Sequence, residues 1–165
     1  DHAESGIMMK LEIRGGTVLL DDEDFCYISG FTWRARRRSN RWTFYAERHS
    51  SKGHFLMHRE ILGLRYGDGK QVDHIDGNGL NNQKSNVRIC TRSQNAFNRK
   101  LVSSNSGRKG VTWHKTVGMW EAQIRKDGKN IYLGCFQDKE NAATAYDIAA
   151  EKMFGEFALL NSSIV

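Results

Sequence analysis

The chain has 165 residues, 39% of them apolar, and no apolar run approaches the roughly 18 residues of a membrane span, so a membrane protein is excluded. Its length suits one mid-sized domain or two small ones. Net charge is +6 with an isoelectric point near 9.3, which favours a polyanionic partner.

In chain order, Asp1–Ile7 reads poorly as fold and precedes Met8 and Met9. Residues 1–8 are therefore expected to be a vector-derived remnant or disordered. A β-rich section with a short helix is expected over 9–66. Lys10–Leu20 predicts strands around a Gly15-Gly16 turn. Thr32–His49 predicts a hairpin turning near Ser39-Asn40, with alternation through Trp42, Phe44 and Ala46. Residues 34–52 carry seven Arg or Lys against one acid, Glu47. Most are Arg, whose forked donors suit phosphate oxygens, so Arg36, Arg38 and Arg41 are candidate DNA contacts. Phe55–Leu64 predicts a short helix, with Phe55, Met57, Ile61 and Leu62 at roughly helical spacing.

Residues 67–100 read as a second part. Gln71–His74 is a strand, 76–85 a polar Asn/Gly loop, and Asn86–Cys90 a second strand. Thr91–Arg99 is a helix opened by a Thr91/Gln94 capping box. Residues 101–107 form a polar linker. In the third part, Gly110–His114, Trp120–Arg125 and Asn130–Phe136 are strands, with a hairpin turn at Asp127-Gly128. Asp138 caps a helix to about Phe154, whose Ala142, Tyr146, Ala149 and Met153 make a packing stripe; Gly155 ends it. Trp113, Trp120, Phe136 and Tyr146 are expected in the core. The odd, widely spaced Cys26, Cys90 and Cys135 argue against a disulfide framework and a thiolate zinc site. Each is expected to be a small buried hydrophobe in a reducing, cytoplasmic setting, with no structural zinc.

The chemistry-bearing string is Val72-Asp73-His74-Ile75-Asp76-Gly77-Asn78, followed by Asn81-Asn82, Asn86-Val87-Arg88, Asn95 and Asn98. Strand, loop, strand and helix can hold one divalent metal between the first strand and the helix. Cutting a phosphodiester needs a base for water, and a neutral His74 can serve near physiological pH. It also needs stabilisation of the phosphate and the leaving oxygen. The Asp73 carboxylate and the Asn95 carbonyl are hard oxygen ligands suited to Mg²⁺ or Mn²⁺. Asp73 and His74 are consecutive, so a bend is needed to bring both to one phosphate. Asn86 could hydrogen-bond the imidazole and fix its tautomer.

This pattern, over about residues 55–100, resembles the HNH homing endonucleases, especially the phage H-N-N variant. The resemblance implies His74 as general base, Asp73 and Asn95 as ligands of one metal per active site, and Asn86 as the residue orienting His74. Asn98 and His58 fit the pattern without an assigned chemical role. Lys109-Gly110-Val111, Gly118-x-Trp120, Ala122-x-Ile124-Arg125, Tyr132-Leu133-Gly134-x-Phe136 and Ala142-Ala143-x-Ala145-Tyr146-Asp147 resemble the APETALA-two/ethylene-response-factor DNA-binding domain, over 108–161. That implies contacts from Lys109, Thr112, His114, Gln123, Arg125, Asn130 and Tyr132 on the sheet face away from the helix. Strand alternation independently puts Gln123 and Arg125 there. Thr112 and Asn130 stand where several plant relatives have Arg, which implies altered base readout.

Together the resemblances imply an α+β fold: a ββα-metal (His-Me finger) core behind an N-terminal β-rich section, plus a small three-stranded antiparallel sheet packed on one helix. The implied partner is double-stranded DNA, not a membrane. A monomer is favoured, in the cytoplasm of a bacterial or phage-infected cell. The alternatives are a DNA-binding regulator with an inactive core and a non-specific nuclease.

Overall fold

Alternation in the first strands closes them into an antiparallel hairpin, β1 (Met8–Ile13) and β2 (Gly16–Asp21), turning at Gly15 with φ of 91°. The computed structural model describes residues 7–37, 43–98 and 105–163. The chain divides between Arg92 and Ser93 into two compact units.

In the first unit, β2 leads straight into α1 (Asp22–Ser29), a helix not expected from the sequence reading. Its first turn holds Asp22, Glu23 and Asp24, where negative charge is favourable at a helix N-terminus. A three-stranded antiparallel sheet follows, in the order β3 (Arg34–Arg37), β4 (Phe44–Ser50), β5 (Gly53–Leu56). The helix expected from Phe55 begins two residues later, as α2 (Met57–Ile61), because Phe55 pairs with Arg48 across β4 and β5. The expected turn at Ser39-Asn40, with Trp42, lies outside the described residues. Val18, Leu20, Ile28, Trp33, Ala46 and Met57 form the buried core, each large apolar side chain contributing about 1.5–3 kcal/mol by leaving water. Arg48 ties the core's edge together. Its guanidinium lies 4.0 Å from the Phe31 ring centroid and 4.2 Å from that of Phe55, and meets Glu60 at 2.6 and 3.0 Å.

The hairpin β6 (Gln71–His74) and β7 (Val87–Cys90) is a separate two-stranded antiparallel sheet. Its connecting loop docks on the edge of β2: Leu19 N donates to Leu80 O (2.9 Å) and Asn82 N to Leu19 O (2.8 Å). A short helix, α3 (Arg92–Phe97), comes next and straddles the division between the units.

The second unit contains β8 (Val111–His114), β9 (Met119–Lys126) and β10 (Lys129–Phe136), antiparallel in the order β10-β9-β8. Asp127 and Gly128 both take positive φ (50° and 79°) in the β9–β10 turn, as a tight hairpin requires. Asp138 caps α4 (Lys139–Phe154) through Glu140 N and Asn141 N, at 2.8 and 3.0 Å. The buried face of α4 is Ala142, Ala143, Tyr146, Ala150 and Phe154. It is rotated slightly from the expected stripe, leaving Ala149 and Met153 half-buried. Ala122 and Ile124 of β9 pack beneath it. Two further expectations fail on burial. Cys26 is exposed on α1, and Trp113 is 44% exposed, edge-on to Trp120.

Candidate active site

Asp73 and Arg88 face each other across the β6–β7 ladder. The Arg88 guanidinium grips Asp73 Oδ2 with Nε at 3.0 Å and Nη2 at 2.8 Å. Strand alternation would expose one of any two neighbours, yet both Asp73 (6%) and His74 (4%) are buried. β6 ends at His74, where Gly77 N turns back onto His74 O at 2.9 Å.

Burial pushes the His74 imidazole below its ordinary value, outweighing the opposing hydrogen bond to Asn82 and the charges of Asp76 and Asp73. The ring is therefore neutral near physiological pH. Its Nε2 lies 3.2 Å from Asn82 Oδ1. A carbonyl oxygen only accepts, so this contact places the ring proton on Nε2 and the lone pair on Nδ1. His58 and Tyr45 frame the ring, with centroids 5.1 and 5.7 Å away. The sequence pattern assigns no role to Asn82, Tyr45 or Arg88, and the fold brings them into this cluster.

Asn86 occupies a different place from the one expected. Its amide oxygen accepts from Asp76 N (3.0 Å), and its amide nitrogen donates to Asp76 Oδ1 (2.9 Å) and Asn81 O (2.8 Å). Both ends of the side chain are thus spent on the 76–86 loop, and the contact with the imidazole goes to Asn82. Asp76 centres this loop, accepting also from Asn78 N (2.7 Å) and Asn81 Nδ2 (2.8 Å). Asp21 closes its far end by accepting from Lys84 N (2.7 Å). Gly79 passes so close to β4 that a Cβ there would lie 2.5 Å from Phe44 O. The Asn-rich loop is therefore a fixed brace that presents Asn82 to His74.

Asn95 is half-buried on α3, in the second unit, while Asp73 and His74 belong to the first. One carboxylate and one amide carbonyl are hard oxygen donors that fit Mg²⁺ or Mn²⁺. Arg88 already offsets the charge of Asp73, so these ligands would hold such a cation weakly on their own and more tightly once a substrate phosphate adds negative charge. Two other groups have ligand atoms within 4.8 Å of one another: Glu47/His49/His54 and Asp21/Glu23/Asp24. Arg34 contacts Glu47 Oε1 at 3.1 Å and Lys84 contacts Glu23 at 2.6 Å, so both groups already hold a cationic side chain.

Among the expected DNA contacts, Arg36 is on β3 with its guanidinium 3.5 Å from Glu47. Arg38 and Arg41 lie outside the described residues. In the second unit, Thr112, Arg125, Asn130 and Tyr132 are exposed, and Gln123 and His114 half-buried. The strand β9 alternates as expected, with Ala122 and Ile124 against α4. Lys109 departs from the expectation: its ammonium donates to Phe97 O rather than facing outward. Burial lowers that amine to about 8.

Among the described residues, no helix is long and apolar enough to cross a membrane. Comparison with known proteins gives two sets of similarities. The HNH endonuclease family model matches residues 55–97. An uncharacterized HNH endonuclease of Acanthamoeba polyphaga mimivirus is 41% identical over 114 residues, covering 66% of this chain and 58% of that protein. Protein 3.8 of Escherichia phage T7 is 42% identical over 91 residues, 54% of this chain and 74% of that protein. The AP2-like ethylene-responsive transcription factor ANT of Arabidopsis thaliana is 28% identical over 153 residues, 80% of this chain but 28% of that protein.

Proposed function

Because this chain belongs to the HNH endonuclease family and is also similar to AP2-like factors, we propose that it is a metal-dependent, homing-type endonuclease. It would cut phosphodiester bonds in duplex DNA, with residues 108–161 positioning it on the target. The observation that carries this reading is the buried, neutral His74 with Asn82 Oδ1 at 3.2 Å from Nε2, beside the Asp73 carboxylate.

In this reading His74 Nδ1 takes the proton from the attacking water. Asn82 holds the tautomer and Tyr45 and His58 hold the ring. Asp73 and Asn95 would hold the cation, and Arg88 orients the Asp73 carboxylate. When bound, Mg²⁺ or Mn²⁺ supplies stabilisation of the charge that gathers on the scissile phosphate and the leaving oxygen. Asn86 supports the site through the loop. Thr112, His114, Gln123, Arg125, Asn130 and Tyr132 contact DNA from the exposed sheet face. Arg36, Arg38 and Arg41 add phosphate contacts. A single active site per monomer nicks one strand, and the cytoplasm of a bacterial or infected cell is the setting.

The test is cleavage of supercoiled duplex DNA with Mg²⁺ or Mn²⁺. Nicking that EDTA stops supports the reading. Binding to DNA without cleavage under every divalent cation would instead favour the inactive-core regulator.

A further inference from the structure

α3 is six residues long and none of its side chains is fully buried. A helix this short is unstable alone, so its place depends on what it packs against. Its one large apolar side chain is Phe97. The Phe97 ring stacks on that of Phe154, with centroids 3.7 Å apart and planes at 12°. It thereby joins the cluster of Ile124, Tyr146, Ala150 and Phe154 between β9 and α4.

A second tie is polar. The last carbonyls of a helix lack internal partners and carry its negative end. Lys109 donates its ammonium to the carbonyl of Phe97. The Lys109 backbone is itself clamped by Asn161, whose Oδ1 accepts from Lys109 N (2.6 Å) and whose Nδ2 donates to Lys109 O (3.0 Å). Asn161 N in turn donates to Asp147 of α4 at 2.7 Å. Two independent routes, one apolar and one polar, thus run from α4 to the end of α3, two residues from Asn95.

We propose that the C-terminal sheet-and-helix module is the platform that fixes the metal-holding Asn95, with Phe97, Phe154 and Lys109 as positioning residues. The inference rests on Asn95 being a ligand, as proposed above. It gives the module a role in the chemistry besides holding DNA, and it explains why Lys109 points inward.

The experiment uses the full chain, with Phe97→Ala as the main variant, since Phe97 lies outside α4 and the sheet. Three quantities are measured. They are Mn²⁺ binding by calorimetry, binding to a random-sequence duplex in EDTA, and amide hydrogen exchange over residues 93–97. Phe97→Ala should weaken Mn²⁺ binding roughly 10-fold or more, the usual scale for supports behind a ligand. Exchange in α3 should accelerate, DNA binding should change by less than about twofold, and Phe97→Leu should restore most of the Mn²⁺ affinity by refilling the site. Phe154→Ala should act in the same direction. Unchanged Mn²⁺ affinity in Phe97→Ala would overturn the inference while leaving the nuclease reading in place. A wild-type chain that neither takes up Mn²⁺ nor nicks DNA would overturn the nuclease reading and this inference with it.

Discussion

Replacing Asn82 by Ala separates catalysis from stability at a single buried position. Asn82 is fully buried, its Oδ1 meets His74 Nε2 at 3.2 Å, and its Nδ2 has no hydrogen-bond partner among the described residues. The substitution removes one neutral hydrogen bond, worth about 1 kcal/mol net. It also removes an unpaired buried donor, whose desolvation costs about 1–3 kcal/mol. These terms oppose each other. The backbone bond from Asn82 N to Leu19 O stays, so the loop keeps its anchor and the net change in stability should fall within about 1 kcal/mol of zero. Catalysis has no such compensation. Without the acceptor, the ring proton can move to Nδ1 and block the base, so the cleavage rate should fall roughly 10- to 100-fold. Single-turnover nicking at saturating enzyme, read beside urea unfolding of the same variant, measures both. A wild-type rate would refute the tautomer argument. A rate loss matched by a stability loss of several kcal/mol would refute the separation of the two roles.

Arg88→Met removes the guanidinium that grips the buried Asp73 carboxylate and should cost about 3 kcal/mol in EDTA. Mn²⁺ should then raise the variant's melting temperature more than the wild type's, and equal shifts would speak against Asp73 as a ligand. At Gly110 (φ of 71°), an added Cβ would overlap the Tyr146 ring and lie 2.5 Å from Gln123 O. Gly110→Ala should therefore cost about 3 kcal/mol or more from overpacking and backbone strain, seen as a lower melting temperature for a fragment-independent probe such as Trp113/Trp120 fluorescence; an unchanged transition contradicts this. Lys109 has its folded-state value lowered to about 8 from an ordinary 10.5. Below pH 8 the amine is charged in both states and the cost of burying it is fully present. Between 8 and 10.5 the native state sheds its proton before the unfolded chain does, so stability rises with pH. Relative to Lys109→Met, the wild type should gain about 1–2 kcal/mol between roughly pH 7.5 and pH 9.5, and a flat difference in urea unfolding would contradict it.

The strands of the second unit and α4 were legible because each follows from local pattern: alternation in β9, positive-φ residues at Asp127-Gly128, and a capping Asp138 before the helix. Pattern failed where the deciding contact is distant in sequence. Phe55 fits both a helical and a strand spacing, and pairing with Arg48 decides it. The three acids opening α1 were a readable helix-start signal, but the apolar residues behind them are too few to show a period. Asn82 could not be told from its asparagine neighbours, since its position comes from the bond of its backbone N–H to Leu19 O on β2. Asn86 has the expected spacing but is drawn away by Asp76. Lys109 reads as a surface lysine because nothing local reveals the carbonyl it caps.

The central claim is that His74 is the base of a metal-dependent nuclease. The most direct measurement is nicking of supercoiled DNA by the wild type and by His74→Ala, each with Mg²⁺, with Mn²⁺ and with EDTA, beside DNA binding in EDTA. The account predicts metal-dependent nicking by the wild type, none by His74→Ala, and equal DNA binding by both. Cleavage by His74→Ala at the wild-type rate would contradict it.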